Sequence, residues 1–371
     1  MSKKDKKAKF LELEGVRVSY RPKDDTIHIT STDRDLVGED FHLTLKQGSP
    51  SEDALRNLLK KQGLINDLDP LLPQNALPKM AAYPFGREVV SAAWSDIPIG
   101  VKADGSPLLW NTKILPHFLL AGTTGSGKSI IQRNILNHCV MHNHKWRLLG
   151  IDLKIVELKP YIQYSRTVQA IATTLEDSLK LLRYAKEIML KRYEKMAEAG
   201  VNYFEHMVDP ETKSPYHAIM LLIDEAYMLL APERETTEKD LLHNKLRWEA
   251  RDLVYDIARL GRAAGIHMTL ATQRPDATVI TGDLKKNIDF RVAAGRLSAT
   301  PSTMVLGSRA AENLTENIRG RGYFRGTSEE GQFQAYFSSF EELDKYILAN
   351  PTIEPERYAQ LIAQQEEKGN E

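Results

Sequence analysis

Two rhythms of apolar and polar positions divide the chain. From Phe10 to about Gly48 apolar residues alternate with polar ones in short runs: Leu11 and Leu13, then Val16, Val18 and Tyr20, then Ile27 and Ile29, then Phe41, Leu43 and Leu45. A period of two marks strands with one buried face, and residues 22–25 and 32–40 supply turn chemistry between them. A small antiparallel sheet is expected there. Ser51 opens a short helix through Leu55, Leu58 and Leu59 that should stop near Gly63. Pro70, Pro73, Pro78 and Pro84 then exclude an interior helix. The expected organisation is a β-rich (α+β) domain over residues 10–66 and a proline-containing linker over 67–96.

Beyond the linker the rhythm changes. Residues 97–110 read as a hairpin turning at Asp104-Gly105. Apolar runs follow at 117–121, 146–151, 168–172, 219–224, 266–272 and 290–294, separated by long helical patterns. Such runs without alternation are strands covered on both faces, and the order predicts an α/β fold with a mainly parallel sheet and crossover helices. One helix is especially legible. Thr173-x-x-Glu176 forms a capping box, Leu182, Ala185, Met189, Tyr193 and Met196 make an apolar stripe, and Gly200 follows the last turn. The main domain is expected over 97–340, with a helical segment and charged tail over 341–371.

Composition narrows the function classes. Fifty basic side chains balance fifty acidic ones over 371 residues, which excludes a histone-like blanket of positive charge. Residues 1–9 hold five lysines and one aspartate and read as a solvated basic tail. The longest purely apolar run, residues 218–223, is far short of the ~20 a spanning helix needs, so no membrane insertion is expected. The N-terminus has no apolar core of a secretory signal, and a lone Cys139 excludes an internal disulfide and a cysteine zinc site. A cytoplasmic protein is the expectation.

The strongest chemical signal is Gly122-Thr123-Thr124-Gly125-Ser126-Gly127-Lys128-Ser129, placed after an apolar strand and before a helix. Glycines let the backbone wrap a polyphosphate, and consecutive N–H groups with the helix N-terminus supply an anion hole. Lys128 then reaches the β- and γ-phosphates of ATP, and the Ser129 hydroxyl ligates Mg²⁺. The second signal is Ile219-Met220-Leu221-Leu222-Ile223-Asp224-Glu225, a central strand that delivers two carboxylates to the sheet end. Asp224 is the candidate to hold Mg²⁺ and Glu225 to orient or deprotonate the attacking water. Gln273 ends a third strand and is a candidate sensor of the γ-phosphate. Three weaker features read as ordinary structure: the helical pair His138 and His142, the adjacent Lys285 and Lys286, and a turn over residues 320–326 before a late strand.

Several separated segments resemble the FtsK/SpoIIIE family of DNA-translocating ATPases. They are residues 115–129, Ile151-Asp152-Leu153-Lys154 with Glu157-Leu158, Lys191-Arg192-Tyr193-Glu194-Lys195-Met196 with Gly200-Val201, Arg262-Ala263-Ala264-Gly265-Ile266-His267 with residues 270–275, and Val279-Ile280-Thr281-Gly282 with Lys286-Asn287-Ile288. The resemblance implies a RecA-like P-loop core, assembled as a homo-oligomeric ring, a hexamer in most of the family, that uses ATP to pump DNA through its central pore. It also implies an arginine supplied by the neighbouring subunit. By position Arg262 is the first candidate, with Arg259, Arg291 and Arg296 behind it. Asp152, Lys154 and Glu157 either couple nucleotide state to the DNA loops or form an ion-pair network.

Three departures qualify the resemblance. No membrane domain is expected before the motor, no winged-helix module is expected in the 34 residues after Phe337, and residues 232–248 lengthen the segment after the second carboxylate motif. The expected function is an ATP-hydrolysing ring motor that moves DNA, duplex in preference, in plasmid, phage or mobile-element transfer or segregation. Residues 10–66 are the candidate docking site for a recruiting protein. The alternatives are a protein-translocating ATPase of the type VII secretion kind and a coupling-type ATPase that pumps single-stranded DNA.

Overall fold

The computed structural model describes four strands between residues 9 and 46 and, beyond them, residues 77–85, 93–209 and 213–355. The chain divides into two compact units, Met1–Lys79 and Met80–Glu371. In the first, β1 (Lys9–Leu13), β2 (Val16–Arg21), β3 (Thr26–Ser31) and β4 (Phe41–Lys46) pair in chain order as an antiparallel meander. The alternating runs predict this sheet. The helix expected after Ser51, the basic tail before Lys9 and the tail beyond residue 355 lie outside the described residues.

The second unit is built on one mixed sheet. In chain order its strands are β5 (Ala81–Ala82), β6 (Asp96–Lys102), β7 (Pro107–Asn111), β8 (His117–Gly122), β9 (Trp146–Ile151), β10 (Val168–Ala172), β11 (Ala218–Ile223), β12 (Ile266–Thr272), β13 (Phe290–Ala294), β14 (Arg321–Arg325) and β15 (Glu330–Phe337). Across the sheet the order is β10-β9-β11-β12-β8-β13-β14-β15-β6-β7, with β5 added beside β15. The six strands from β10 to β13 are parallel, and the remaining pairs along that order are antiparallel. Two expectations change here. Residues 321–325 are a strand rather than a turn, and Ala81–Ala82, inside the expected linker, pair with Tyr336 and Phe337 of β15. The linker's buried Tyr83 extends the same core.

Strand side chains alternate between two cores, which is why apolar residues in these runs occupy consecutive positions rather than every second one. Phe118, Leu120, Leu148, Met220 and Leu222 face one cluster, while Leu119, Ala121, Leu149, Ile219, Leu221 and Ile223 face the other. The first face is covered by α1 (Lys128–Met141), through Ile131, Ile135, Leu136 and Cys139, and by the aromatic cluster of Trp110, Phe118 and Phe290. On the other face lie α2 (Leu175–Ala199), the short α3 (Ala226–Leu230) and α4 (Glu238–Leu260). Three further helices lie among the described residues of the unit: α5 (Gly282–Lys286), α6 (Ala299–Leu306) and α7 (Phe340–Ala349).

The expected stripe of α2 is present, with Leu182, Ala185, Met189 and Met196 buried and Gly200 left-handed at φ 66°. Its cap is one residue later than expected. Thr174, not Thr173, accepts from the Asp177 N–H at 3.1 Å. The segment after the carboxylate motif, unread in the sequence beyond its length, becomes the 23-residue α4. It opens with a capping box of Thr237 and Asp240 and pairs with α2 through Arg183–Glu249 and Lys186–Asp256. Among the described residues no helix is long and apolar enough to cross a membrane.

Candidate nucleotide site

Parallel strands deliver their C-terminal tips to the same edge of the sheet, where ligands of open α/β sheets bind. Four adjacent tips converge here. β8 leads into the Gly122–Ser129 loop, β12 into Gln273, β11 into Asp224 and Glu225, and β9 into Asp152. The register pairs Ala121 with Thr272 and Leu270 with Ile223, so these side chains leave the sheet at nearly one level.

The loop keeps its shape because its glycines cannot be replaced cheaply. Gly125 and Gly127 have φ of 82° and 105°, and a Cβ on Gly127 would lie 2.5 Å from the backbone nitrogen of Gly320. That nitrogen donates to the Ser126 carbonyl at 2.9 Å, so the start of β14 supports the loop from below. Sequence reading missed this support; the paired glycines Gly320 and Gly322 were its only trace. A Gly127→Ala variant combines left-handed strain with a backbone collision, together about 2–5 kcal/mol. Its melting temperature should fall by several degrees and its nucleotide affinity with it, both readable by thermal shift with and without ATPγS. Wild-type values for both would mean that Gly320 does not hold the loop.

The cradle fits a polyphosphate. Among the described residues the N–H groups of Gly125, Gly127, Lys128 and Ser129 have no acceptor, and α1 begins at Lys128. A Cβ on Gly125 would meet nothing within 4 Å, so the loop's outer side is open. The buried Ser126 Oγ has no partner either. These are the donors an anion would use.

The charged groups are already engaged with each other. Lys128 Nζ is 2.6 Å from Asp224 Oδ1 and 3.0 Å from its carbonyl oxygen, with both side chains almost fully buried. Gln132, one turn along α1, donates to the same Oδ1 at 2.9 Å. Glu225 Oε1 accepts from Thr272 Oγ1 at 2.7 Å and from the Gln273 N–H at 3.0 Å. Its Oε2 accepts from Lys154 Nζ at 3.1 Å. Thr124 Oγ1 donates to Gln273 Oε1 at 3.3 Å, which brings Gln273 to the loop as its strand-tip position predicts. The Ser129 hydroxyl donates to Glu157. Gln132 and Thr272 were not singled out in the sequence. The helical period finds the first, one turn from Lys128, and the strand period finds the second, beside Gln273.

Other candidates stand apart from this cluster. Arg262 sits in the turn before β12, the opposite end of the sheet from the loop, roughly 20 Å away at the rise of a strand. There its Nε donates to the Lys113 carbonyl at 3.1 Å. Arg259 pairs with Asp256, and Arg291 donates to the carbonyls of Ile288 and Lys285. Arg296 follows β13 on the loop side and is held by Glu312 O and Glu316. Lys285 and Lys286 end the short α5, and Lys286 is paired with Asp283. His138 and His142 stack at 4.2 Å, His138 Nε2 lies 2.8 Å from the Trp94 carbonyl oxygen, and burial lowers the His138 pKa to about 3.

The residues present fit the groups the loop implies. Ser129 and Asp224 are the oxygen donors a Mg²⁺ would take, and both lie within reach of the open cradle.

Comparison with known proteins agrees with this geometry. The FtsK/SpoIIIE family matches residues 85–277. The chain is 31% identical over 282 residues to the DNA translocase FtsK of Oceanobacillus iheyensis, covering 70% of this chain and 34% of that protein. It is also 31% identical over 265 residues to the DNA translocase SftA of Bacillus subtilis, covering 67% of this chain and 25% of that protein. It therefore spans about a third or less of these relatives. Among solved structures, the pCW3 conjugation coupling protein TcpA, a monomer form with ATPγS, aligns with a TM-score of 0.66 at 22% identity over 92% of this chain and 93% of that one. The cytoplasmic domain of the Thermomonospora curvata type VII secretion ATPase EccC aligns at 0.56 with 25% identity, over 76% and 33% respectively. The fold is that of the RecA-like P-loop ATPases, and the chain belongs to the FtsK/SpoIIIE family.

Proposed function

We propose that this chain is the motor of an ATP-driven DNA translocase that works as a homo-oligomeric ring on duplex DNA. One observation carries the reading: the glycine loop, the Asp224-Glu225 pair and Gln273 meet at one edge of the sheet in a family whose relatives are DNA translocases. Loop N–H groups and Lys128 bind the phosphates of ATP. Ser129 and Asp224 would hold a Mg²⁺, which would supply charge neutralisation on the phosphate oxygens. Glu225 orients or deprotonates the attacking water, and Gln273 senses the γ-phosphate through a water.

Arg262 completes the site of the next subunit. It lies at the far end of its own sheet, where it cannot serve its own nucleotide, and a ring gives it another chain's. An arginine in that role contributes about 10³–10⁵ in rate. Arg262→Ala alone should lose at least about 10³ of ATP turnover. Mixed with a Lys128→Met chain it should regain activity, because Arg262 of one chain then meets the intact loop of the other. A mixture no more active than either parent removes Arg262 from that role.

The reading as a whole is tested by steady-state ATP hydrolysis against protein concentration, with no DNA, long duplex and single strands. A steep rise with concentration and stimulation by duplex that fades with salt is the expected result. Stimulation by single strands alone changes the substrate to that of a coupling-type ATPase. No response to either nucleic acid overturns the DNA reading in favour of a protein substrate.

A further inference from the structure

The loop between β9 and the Lys159–Gln163 turn touches both ends of the chemistry proposed above. Its frame is Asp152, which is 1% exposed. The Asp152 carboxylate accepts from the N–H groups of Val156, Glu157 and Leu158 at 2.9–3.0 Å and from Lys154 N–H at 3.2 Å. Four backbone donors on one carboxylate make the loop a rigid unit rather than a flexible connection. Ile155 is forced to φ 58°, a left-handed value that a β-branched residue avoids.

Two side chains of this unit reach different catalytic candidates. Lys154 Nζ binds Glu225 Oε2 at 3.1 Å, and Glu157 accepts the hydroxyl hydrogen of Ser129. The other partners of Glu225 are Thr272 Oγ1 and the Gln273 N–H, both fixed in or beside β12. The Gln273 N–H lies 3.1 Å from Oε2 as well, so with Lys154 both carboxylate oxygens are occupied, and Lys154 and Gln273 share Oε2. A base that must take a proton from water needs an oxygen lone pair free to face that water. Thr272 and Gln273 belong to the sheet end, so Lys154, on a loop and a third exposed, is the partner that can leave.

We propose that Lys154 is a positioning residue that restrains Glu225, and that the Asp152 frame ties its release to the arrival of nucleotide at Ser129. A ligand on Ser129 disturbs the Glu157 contact. Because Asp152 fixes Glu157 and Lys154 in one unit, the disturbance moves Lys154 as well. The proposal rests on Glu225 acting on water, as assigned above.

The test is Lys154→Met and Lys154→Arg, with turnover measured without DNA at one protein concentration and melting temperatures recorded in parallel. Lys154→Met should raise kcat about tenfold with KM for ATP unchanged, because the restraint is lost while the phosphate cradle is intact. Lys154→Arg, which keeps the ion pair, should stay within about twofold of wild type. A kcat for Lys154→Met at or below wild type, with an unchanged melting temperature, overturns the proposal. A raised kcat that Lys154→Arg shares also overturns it, since the charge would then not be the restraint. Duplex DNA added to the wild type separates the two readings. Lack of stimulation counts against the DNA motor, while the comparison of Lys154→Met with wild type still decides the restraint.

Discussion

Glu225→Gln is expected to lower ATP turnover by about 10²–10⁴ while leaving ATP binding within a few-fold of wild type. The asymmetry follows from the contacts. Among the described residues Glu225 hydrogen-bonds Thr272, Gln273 and Lys154, and none of Gly125, Gly127, Lys128 or Ser129, the groups proposed to bind phosphate. An amide keeps the shape and one acceptor oxygen, enough for Thr272 Oγ1 and the Gln273 N–H, so the tip of β12 should stay in place. It has no basic oxygen to take a proton from water. Its NH₂ group also cannot accept from Lys154, so that ion pair is lost without a cavity. The folding cost should be about 1 kcal/mol, a hydrogen bond's worth. Single-turnover hydrolysis with a fluorescent-nucleotide titration separates the two quantities. Hydrolysis at the wild-type rate would assign the water to another group, and a matching loss of affinity would make Glu225 a structural residue.

What the sequence made legible was decided by short-range physics. Strands β8, β11 and β12 are buried on both faces, so apolar residues run on without alternation and the runs stand out, with His117, His267, Thr269 and Thr272 as buried polar exceptions. The glycine loop is legible for the same reason: its φ values are a local demand, met by local residues. Contacts between distant segments leave no such mark. Gly320 supports a loop almost two hundred residues upstream, and its φ of 82° and a Cβ position 3.0 Å from Gln334 Nε2 tie it to glycine. Lys154 and Glu225 are 71 positions apart, and each reads as an ordinary charged residue until the parallel pairing of β9 with β11 sets their strand tips side by side. At the cap of α2, Thr173 and Thr174 are followed by Glu176 and Asp177, so the local pattern offers two registers and packing chooses the later one. The sequence reading also sends Lys128 and Asp224 separately to phosphate and metal. In the structure they bind each other, and burial of both side chains makes each the counter-charge the other needs.

That pairing gives Lys128→Met two expected effects, one on chemistry and one on folding. Turnover should fall by at least about 10³, as charge stabilisation of the transferring phosphate is lost. The second effect appears with no nucleotide present. The Lys128 and Asp224 side chains are 5% and 2% exposed, and their contact at 2.6 Å is the main compensation for burying the carboxylate. Removing one member of such a pair typically costs about 3–5 kcal/mol. Here Gln132 still donates to Asp224 Oδ1 at 2.9 Å, so the lower end is expected, a fall in melting temperature of roughly 4–8 °C. Adding Asp224→Asn to Lys128→Met should restore most of that loss, since the amide needs no counter-charge, yet return none of the activity. Scanning calorimetry of the wild type, both single variants and the double variant closes the cycle. A Lys128→Met chain as stable as wild type would mean that the pair adds nothing net, and that Lys128 stands free to meet phosphate without first leaving Asp224.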